Sequence, residues 1–161
     1  MATIEGLSHE LLERLSTEEA RPEATPGTHL VGGFVKAGAK LEDLLRAVVG
    51  VIAEADGVDP SVLLAPVAGR APPLRKAMAG PLAHGIKAYV VRRPSNLPRE
   101  LRPLLDDLSR SDSRILGFIA ARNKVAKEGR DPELARVALR DLRDFVRAFR
   151  RSAGWAGSQT S

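Results

Sequence analysis

Residues 132–151 read PELARVALRDLRDFVRAFRR, the most regular amphipathic segment of the 161-residue chain. At ~100° of rotation per residue, its apolar side chains fall on one stripe: Leu134, Ala138, Leu142, Phe145, Val146 and Phe149. Pro132 suits the first turn of a helix, and Asp131 in front of it suits the cap position. The segment therefore predicts a long helix that buries one face against other helices, as in a helical bundle.

Five arginines lie on the opposite side of this predicted helix, within about 80° of each other. We call them the arginine ridge: Arg136, Arg140, Arg143, Arg147 and Arg150. A charged helix face is most often simply solvated. The preference for arginine over lysine also suits contact with phosphates or with an acidic protein. No aromatic residues interleave with the ridge, so base stacking is not expected there.

The same apolar periodicity predicts further main helices, over residues 28–56, 81–91, 98–108 and about 112–128. Gly57 ends the first of them, and Asp59 caps the short helix that follows. Proline and glycine predict a break near residues 71–73, and polar residues predict another at 109–113. The predicted fold class is all-α, an up-down bundle of four to five main helices formed by residues 28–151.

Both ends of the chain are predicted to lie outside this bundle. Residues 1–27 contain six glutamates and two arginines, with a short helical pattern from Leu7 to Leu15 and then a Thr/Glu/Pro linker. This composition predicts a flexible acidic N-terminal arm, with docking onto the arginine ridge as an open alternative. Residues 152–161 are predicted to form a polar C-terminal tail around Trp155.

The composition excludes several classes of site. The absence of cysteine excludes disulfides, thiolate zinc sites and a cysteine nucleophile. No apolar run reaches the ~18 residues of a membrane span, and the N-terminus lacks a secretory pattern, so we expect a cytoplasmic protein without membrane contact, metal or cofactor. The formal net charge of +5 is concentrated in residues 122–151, which hold ten Lys or Arg and five Asp or Glu.

Arg122 occupies a position where the helical pattern calls for an apolar side chain. Ile115, Ile119 and Ala126 fall within about 60° of it on the same predicted helix, so the arginine should point inward. An inward guanidinium keeps its charge and costs several kcal/mol to desolvate unless its donors are satisfied. Two interpretations are open. Arg122 is either a structural arginine, paired with a carboxylate or reaching the rim, or part of an anion or RNA site.

The motif Arg122-Asn123-x-x-Ala126-Lys127 precedes a short loop and the last amphipathic helix. It resembles the Arg-Asn-x-x-Ala-His signature of the HEPN superfamily, with Lys127 in place of the histidine. The resemblance implies a helical bundle that dimerises, so that arginine and histidine of two subunits meet. It also implies metal-independent ribonuclease chemistry in many members, often in toxin–antitoxin, phage-defence or stress systems.

The missing histidine changes the predicted chemistry. An imidazole with a pKa near neutrality can move protons during attack of the RNA 2′-hydroxyl on phosphorus. A lysine side chain has an ordinary pKa of ~10.4 and holds a phosphate better than it accepts a proton. The lone His84 is expected to be a hydrogen-bonded packing residue rather than a catalyst.

These residues together favour a non-catalytic, HEPN-like binding module that forms a homodimer. Arg122, Asn123 and Lys127, with the arginine ridge, would contact RNA, a nucleotide or an acidic protein partner. Two alternatives stay open. One is a metal-independent ribonuclease in which Arg122 and Lys127, or a histidine brought close in space, do the chemistry. The other is a protein–protein adaptor with no nucleic-acid role.

Overall fold

The computed structural model describes residues 3–19, 27–64, 74–92, 98–128 and 132–155. Within these ranges the chain forms six α-helices and no strand: α1 (Ile4–Glu19), α2 (Gly27–Asp56), α3 (Ala79–Arg92), α4 (Arg102–Ser109), α5 (Arg114–Glu128) and α6 (Pro132–Ser152). Short 3-10 helices lie at Pro60–Leu63, Leu74–Lys76 and Arg99–Leu101. The predicted all-α helical bundle is confirmed.

The long helix α2 is the centre of the bundle, and α1, α3, α5 and α6 all pack against it. Its apolar residues recur every three or four positions, so they form an almost continuous apolar stripe that faces the core. Phe34 of α2 and Phe118 of α5 are fully buried, and their ring centroids lie 4.6 Å apart. This aromatic pair fixes α5, the helix that carries Arg122, against the centre of the fold.

Residues 4–19 form a core helix, because Leu7, Leu11 and Leu15 share one stripe and are buried against α2 and α6. The prediction that residues 1–27 form an arm outside the bundle is therefore wrong for this part. Three of the glutamates that suggested an arm occupy the exposed face of the same helix, Glu5, Glu10 and Glu13, whereas Glu18 is buried. The prediction of an arm rested on the composition of the whole segment, which does not distinguish the apolar stripe of the helix from its acidic face.

The end of α2 follows the sequence prediction. Gly57 has φ of 66°, and the N–H of Val58 donates to the carbonyl of Ala53 at 3.0 Å, the pattern of a left-handed helix cap. Asp59 then accepts a hydrogen bond from the backbone N–H of Ser61 at 2.9 Å. That backbone hydrogen bond holds the pKa of Asp59 below its ordinary value.

The predicted break at residues 109–113 is confirmed between α4 and α5. The buried Asp107 of α4 reaches across it and accepts hydrogen bonds from the Ser113 hydroxyl at 2.7 Å and from the backbone N–H groups of Arg114 and Ile115 at 3.0 and 3.2 Å. These N–H groups would otherwise be unpaired at the start of a helix. Asp107 therefore fixes where α5 begins.

Several sequence predictions fall outside the described residues. They concern the linker at 20–26, the break at 71–73, the Asp131 cap and the tail at 156–161. Across the part of the chain that the structure describes, no helix is both long and apolar enough to cross a membrane.

Candidate functional site

Arg122 points into the bundle, as the helical phase predicts. Its side chain is only 12% exposed, and its Nη1 atom lies 3.1 Å from Oε2 of Glu42, whose side chain is 19% exposed. Glu42 belongs to α2 of the same chain. The structure therefore places Arg122 in an internal ion pair, which is the structural one of the two interpretations.

Glu42 is the centre of a small polar network rather than half of an isolated pair. Its Oε2 atom also accepts the backbone N–H of Ala79, at 3.2 Å, at the first residue of α3. One turn further along α2, Arg46 donates from Nε to the carbonyl of Leu74 at 3.0 Å and from Nη2 to that of Ala77 at 2.9 Å. The network joins α5, α2 and the start of α3, and it gives hydrogen-bond partners to the Ala79 N–H and to the carbonyls of Leu74 and Ala77.

Two glycines of α2 make room for buried charged side chains. A Cβ atom at Gly38 would lie 2.6 Å from Cδ of Arg122, and one at Gly33 would lie 1.8 Å from Oε1 of the buried Glu18. Any side chain at these positions would collide with the charged group. Gly38 is thus part of the Arg122 site, a role that sequence spacing alone did not assign.

The other motif residues do not join Arg122. Asn123 and Lys127 are exposed, as is Lys124 between them. Lys127 lies five residues after Arg122, which corresponds to a rotation of ~140° around the helix. The Arg122 side chain therefore points into the core, whereas the Lys127 side chain points into solvent. The single basic site predicted from Arg122, Asn123 and Lys127 is therefore divided between the two sides of α5.

A groove between α3 and α5 brings a histidine to the motif. His84 and Asn123 both line this groove of about 480 Å³, together with Ile119. His84 was expected to be a packed core histidine, but its side chain is exposed. It lies one turn into α3 on the side that faces α5, a juxtaposition that no spacing in the sequence reveals.

The structure divides the arginine ridge by exposure: Arg140 and Arg147 are exposed, Arg136 and Arg143 are half-buried, and Arg150 is buried. Arg143 also forms an ion pair with the neighbouring Asp144, with Nη2 and Oδ1 3.0 Å apart. The exposed part of the arginine ridge therefore contains fewer arginines than the helical phase predicts.

Arg150 is only 5% exposed, so its predicted place on an exposed ridge is wrong. Its Nη1 atom donates to the Glu5 carbonyl at 2.8 Å and to the Ser8 hydroxyl at 2.7 Å, and its Nη2 atom donates to the Trp155 carbonyl at 3.3 Å. The reason is that α1 packs on this flank of α6, where the sequence predicted solvent. Arg150 binds backbone and a hydroxyl of α1, not an acidic side chain.

We call five exposed cations of α5 and α6 the basic face: Lys124, Lys127, Arg140, Arg147 and Arg151. Arg114, the first residue of α5, is also exposed but is not included in this group. Arg140 lies 3.8 Å from Asp141, whereas the other four residues of the basic face have no ion pair with any residue that the structure describes. Lys124 and Arg151 were not singled out in the sequence. The available signal for Arg151 was its spacing of four residues from Arg147, which keeps both on one side of α6.

The fold and these surfaces define the molecule as an all-α bundle with an internal Arg–Glu pair and a basic outer face. Comparisons with protein-family models, with curated proteins and with solved structures find no match. The described residues contain no group of three or more His, Cys, Asp or Glu side chains that could hold a metal ion. The resemblance to the HEPN superfamily therefore rests on residues 122–127 and their helical setting.

Proposed function

We propose that this protein is a non-catalytic, HEPN-like binding module that contacts RNA through the basic face. The observation that carries the proposal is the set of exposed cations on two packed helices, most of them without a carboxylate partner among the described residues. Unpaired surface cations gain free energy by replacing the counterions condensed on a phosphate backbone. Exposed arginines also bind phosphate oxygens in bidentate fashion.

The arrangement of the cations on α6 suits a row of phosphates. Arg140, Arg147 and Arg151 lie within about 40° of each other around the helix and span about 16 Å along it. A stacked strand advances about 3.4 Å per phosphate, so the row matches roughly five phosphates. With no aromatic side chain in the row, recognition should depend on backbone charge rather than base identity.

In this proposal Arg122 supports the fold and does not touch RNA. A phosphate that bound its guanidinium would have to displace Glu42 and leave that half-buried carboxylate with only the more distant Arg46, 4.0 Å away, which is unfavourable. The basic face needs no such rearrangement. The homodimer and the defence-system setting that the resemblance implies stay predictions.

Reversing two charges on the basic face should weaken RNA binding strongly. We expect the double variant Arg147→Glu, Arg151→Glu to bind a fluorescent single-stranded RNA at least about tenfold more weakly than the wild-type protein at moderate salt. Loss of two phosphate contacts should also reduce the slope of log K against log salt by about 1.4. Fluorescence anisotropy over a series of salt concentrations measures both quantities.

A matched control separates local contact from overall charge. Arg99 and Arg102 are exposed near the start of α4, so Arg99→Glu, Arg102→Glu changes the net charge by the same amount on another surface. We expect it to keep affinity within about threefold. Equal losses in both double variants, or an absence of salt-sensitive binding, would overturn the proposal. Nuclease-insensitive capture of an acidic protein alone would then favour the adaptor alternative.

The groove between α3 and α5 favours a second candidate function, a metal-independent ribonuclease. Histidine is the residue type that the HEPN-like motif lacks, and His84 supplies one beside Asn123. However, Arg122 is paired with Glu42 inside the bundle and Lys127 points away from it. The family's pairing joins two subunits, so Arg122 would have to leave Glu42 of its own chain before it could meet a proton-transfer group of a second copy.

We therefore expect the purified protein to leave both structured and unstructured RNA intact in the presence of a metal chelator. Gel analysis of wild type, Arg122→Ala, His84→Ala and Lys127→Ala tests this. Cleavage by the wild type that is lost in His84→Ala would establish a ribonuclease and contradict the non-catalytic proposal. Cleavage that survives all three substitutions would indicate a contaminating nuclease and leave the expected result intact.

A further inference from the structure

A second surface, lined by none of the cations of the basic face, forms an apolar groove of about 630 Å³. It lies between the start of α1, the C-terminal part of α2, the 3-10 helix before α4 and the segment after α6. Its floor combines aliphatic and aromatic side chains, all partly or fully buried: Ile4, Ala47, Val51, Leu101 and Trp155. This size falls in the range of sites that bind ligands or anchor side chains of a partner.

Three exposed carboxylates surround this apolar floor. Glu5, Glu54 and Glu100 come from three separate elements, and none forms an ion pair with a residue in the described part of the chain. The chain as a whole carries a net charge of +5. Three carboxylates without ion pairs among the described residues, over an apolar floor, are opposite in charge to the molecule as a whole, and they favour cationic ligands.

The walls of the groove are held in place by the buried Arg150, which hydrogen-bonds the carbonyls of both Glu5 and Trp155. After α6, Gly154 with φ of 80° turns the chain, and the N–H of Trp155 donates to the carbonyl of Arg150 at 2.9 Å. The indole then packs edge-on against Phe149, with ring centroids 5.7 Å apart. A groove fixed in this way loses little entropy when it binds a partner.

We propose that this groove docks a cationic amphipathic segment of a partner protein. The apolar side chains of the segment would lie on the groove floor, and its flanking lysines or arginines would pair with Glu5, Glu54 and Glu100. Helix-in-groove recognition uses this combination of apolar anchors and charged flanks. This function is separate from RNA binding, because RNA would be repelled by the three carboxylates.

The only tryptophan of the chain, Trp155, lies in the groove and reports on its occupancy. The probe is a synthetic peptide of about 14 residues, with leucines on one helical face and lysines on the other. We expect saturable binding with a shift of the Trp155 fluorescence to shorter wavelength. The same peptide with glutamate in place of every lysine should not bind, because it would meet three negative charges.

Gly50 offers a substitution that fills the groove without opposing the fold. It lines the groove from α2, and a Cβ atom there would meet nothing within 4 Å. Leucine is also a better helix former than glycine. Gly50→Leu should therefore retain the fold and weaken peptide binding at least about tenfold, the scale of losing an apolar anchor.

The matched control is Gly117→Leu on α5, where a Cβ would likewise meet nothing within 4 Å. We expect this variant to bind the lysine peptide like the wild type. Equal affinities for Gly50→Leu and Gly117→Leu, or equal binding of the lysine and glutamate peptides, would overturn the proposal. So would binding that occurs only after deletion of residues 156–161, since the chain's own C-terminal segment would then be the occupant.

Discussion

Replacing Arg122 with methionine is expected to lower the free energy of unfolding by about 3 kcal/mol, the lower end of the range for a broken buried ion pair. Methionine keeps the apolar contact against Gly38 but leaves Glu42 with only the more distant Arg46, whose Nη2 atom lies 4.0 Å from Oε1. At about 2–4 °C per kcal/mol for a chain of this size, the melting temperature should fall by about 6–12 °C. Thermal and urea unfolding followed by circular dichroism give both values.

A double-mutant cycle isolates the contribution of the pair. The double variant Arg122→Met, Glu42→Gln removes both charges, and glutamine keeps an oxygen for the Ala79 N–H. We expect it to be more stable than the sum of the two single losses by about 1–3 kcal/mol. Lys124→Met, an exposed position on the same helix, is the control and should change stability by less than about 0.5 kcal/mol.

The opposite result would change the functional assignment. If Arg122→Met keeps full stability but abolishes RNA binding, Arg122 is a ligand-binding residue, and the ion pair with Glu42 is a dispensable state of the free protein. If it loses stability and retains RNA affinity when folded, the basic face is sufficient for binding. Measurement of both properties on one preparation distinguishes these cases.

Replacing Leu11 with alanine should cost about 3 kcal/mol, within the range of about 2–5 kcal/mol for a buried leucine. Leu11 is fully buried where α1 packs between α2 and α6. The lost side chain leaves a cavity that the surrounding helices close only in part. An N-terminal arm outside the bundle would give no measurable loss, so this variant tests directly whether α1 belongs to the cooperative core.

Val35→Ala is the control for Leu11→Ala, because Val35 lies on α2 with 47% of its surface exposed. Its removal should change stability by less than about 0.5 kcal/mol. A single unfolding transition in Leu11→Ala, seen equally by far-UV circular dichroism and Trp155 fluorescence, would show that α1 unfolds with the rest. Separate transitions for the two signals would contradict the assignment of α1 to the core.

Local signals in the sequence are sufficient for the helices that have an uninterrupted stripe. Residues 28–56 and 132–151 read as helices because their apolar spacing persists for several turns, and Gly57 and Asp59 have the backbone and capping chemistry that ends one element and starts the next. The inward direction of Arg122 follows from the same phase. These properties depend on residues within a few turns of each other, which is why sequence alone determines them.

Partners that are distant in the chain required the tertiary structure. The Arg122–Glu42 pair joins residues 80 positions apart, and the Arg150–Ser8 hydrogen bond joins residues 142 apart. No periodicity connects such positions, so charge counting assigned Glu42 no role and placed Arg150 in solvent. The helical pattern from Leu7 to Leu15 was visible in the sequence, but its burial was not, because its leucines are buried only where α2 and α6 offer matching surfaces.

The sequence by itself determined the all-α class, the inward phase of Arg122 and the concentration of positive charge in the last two helices. Only the tertiary structure decided which cations remain exposed, which carboxylate neutralises Arg122 and where a groove forms. The physical reason is that secondary structure follows local spacing, whereas exposure and ion pairing depend on which helix covers each face. Arg150 is buried because α1 packs on that side of α6. Arg122 is buried and paired because α2 packs against α5.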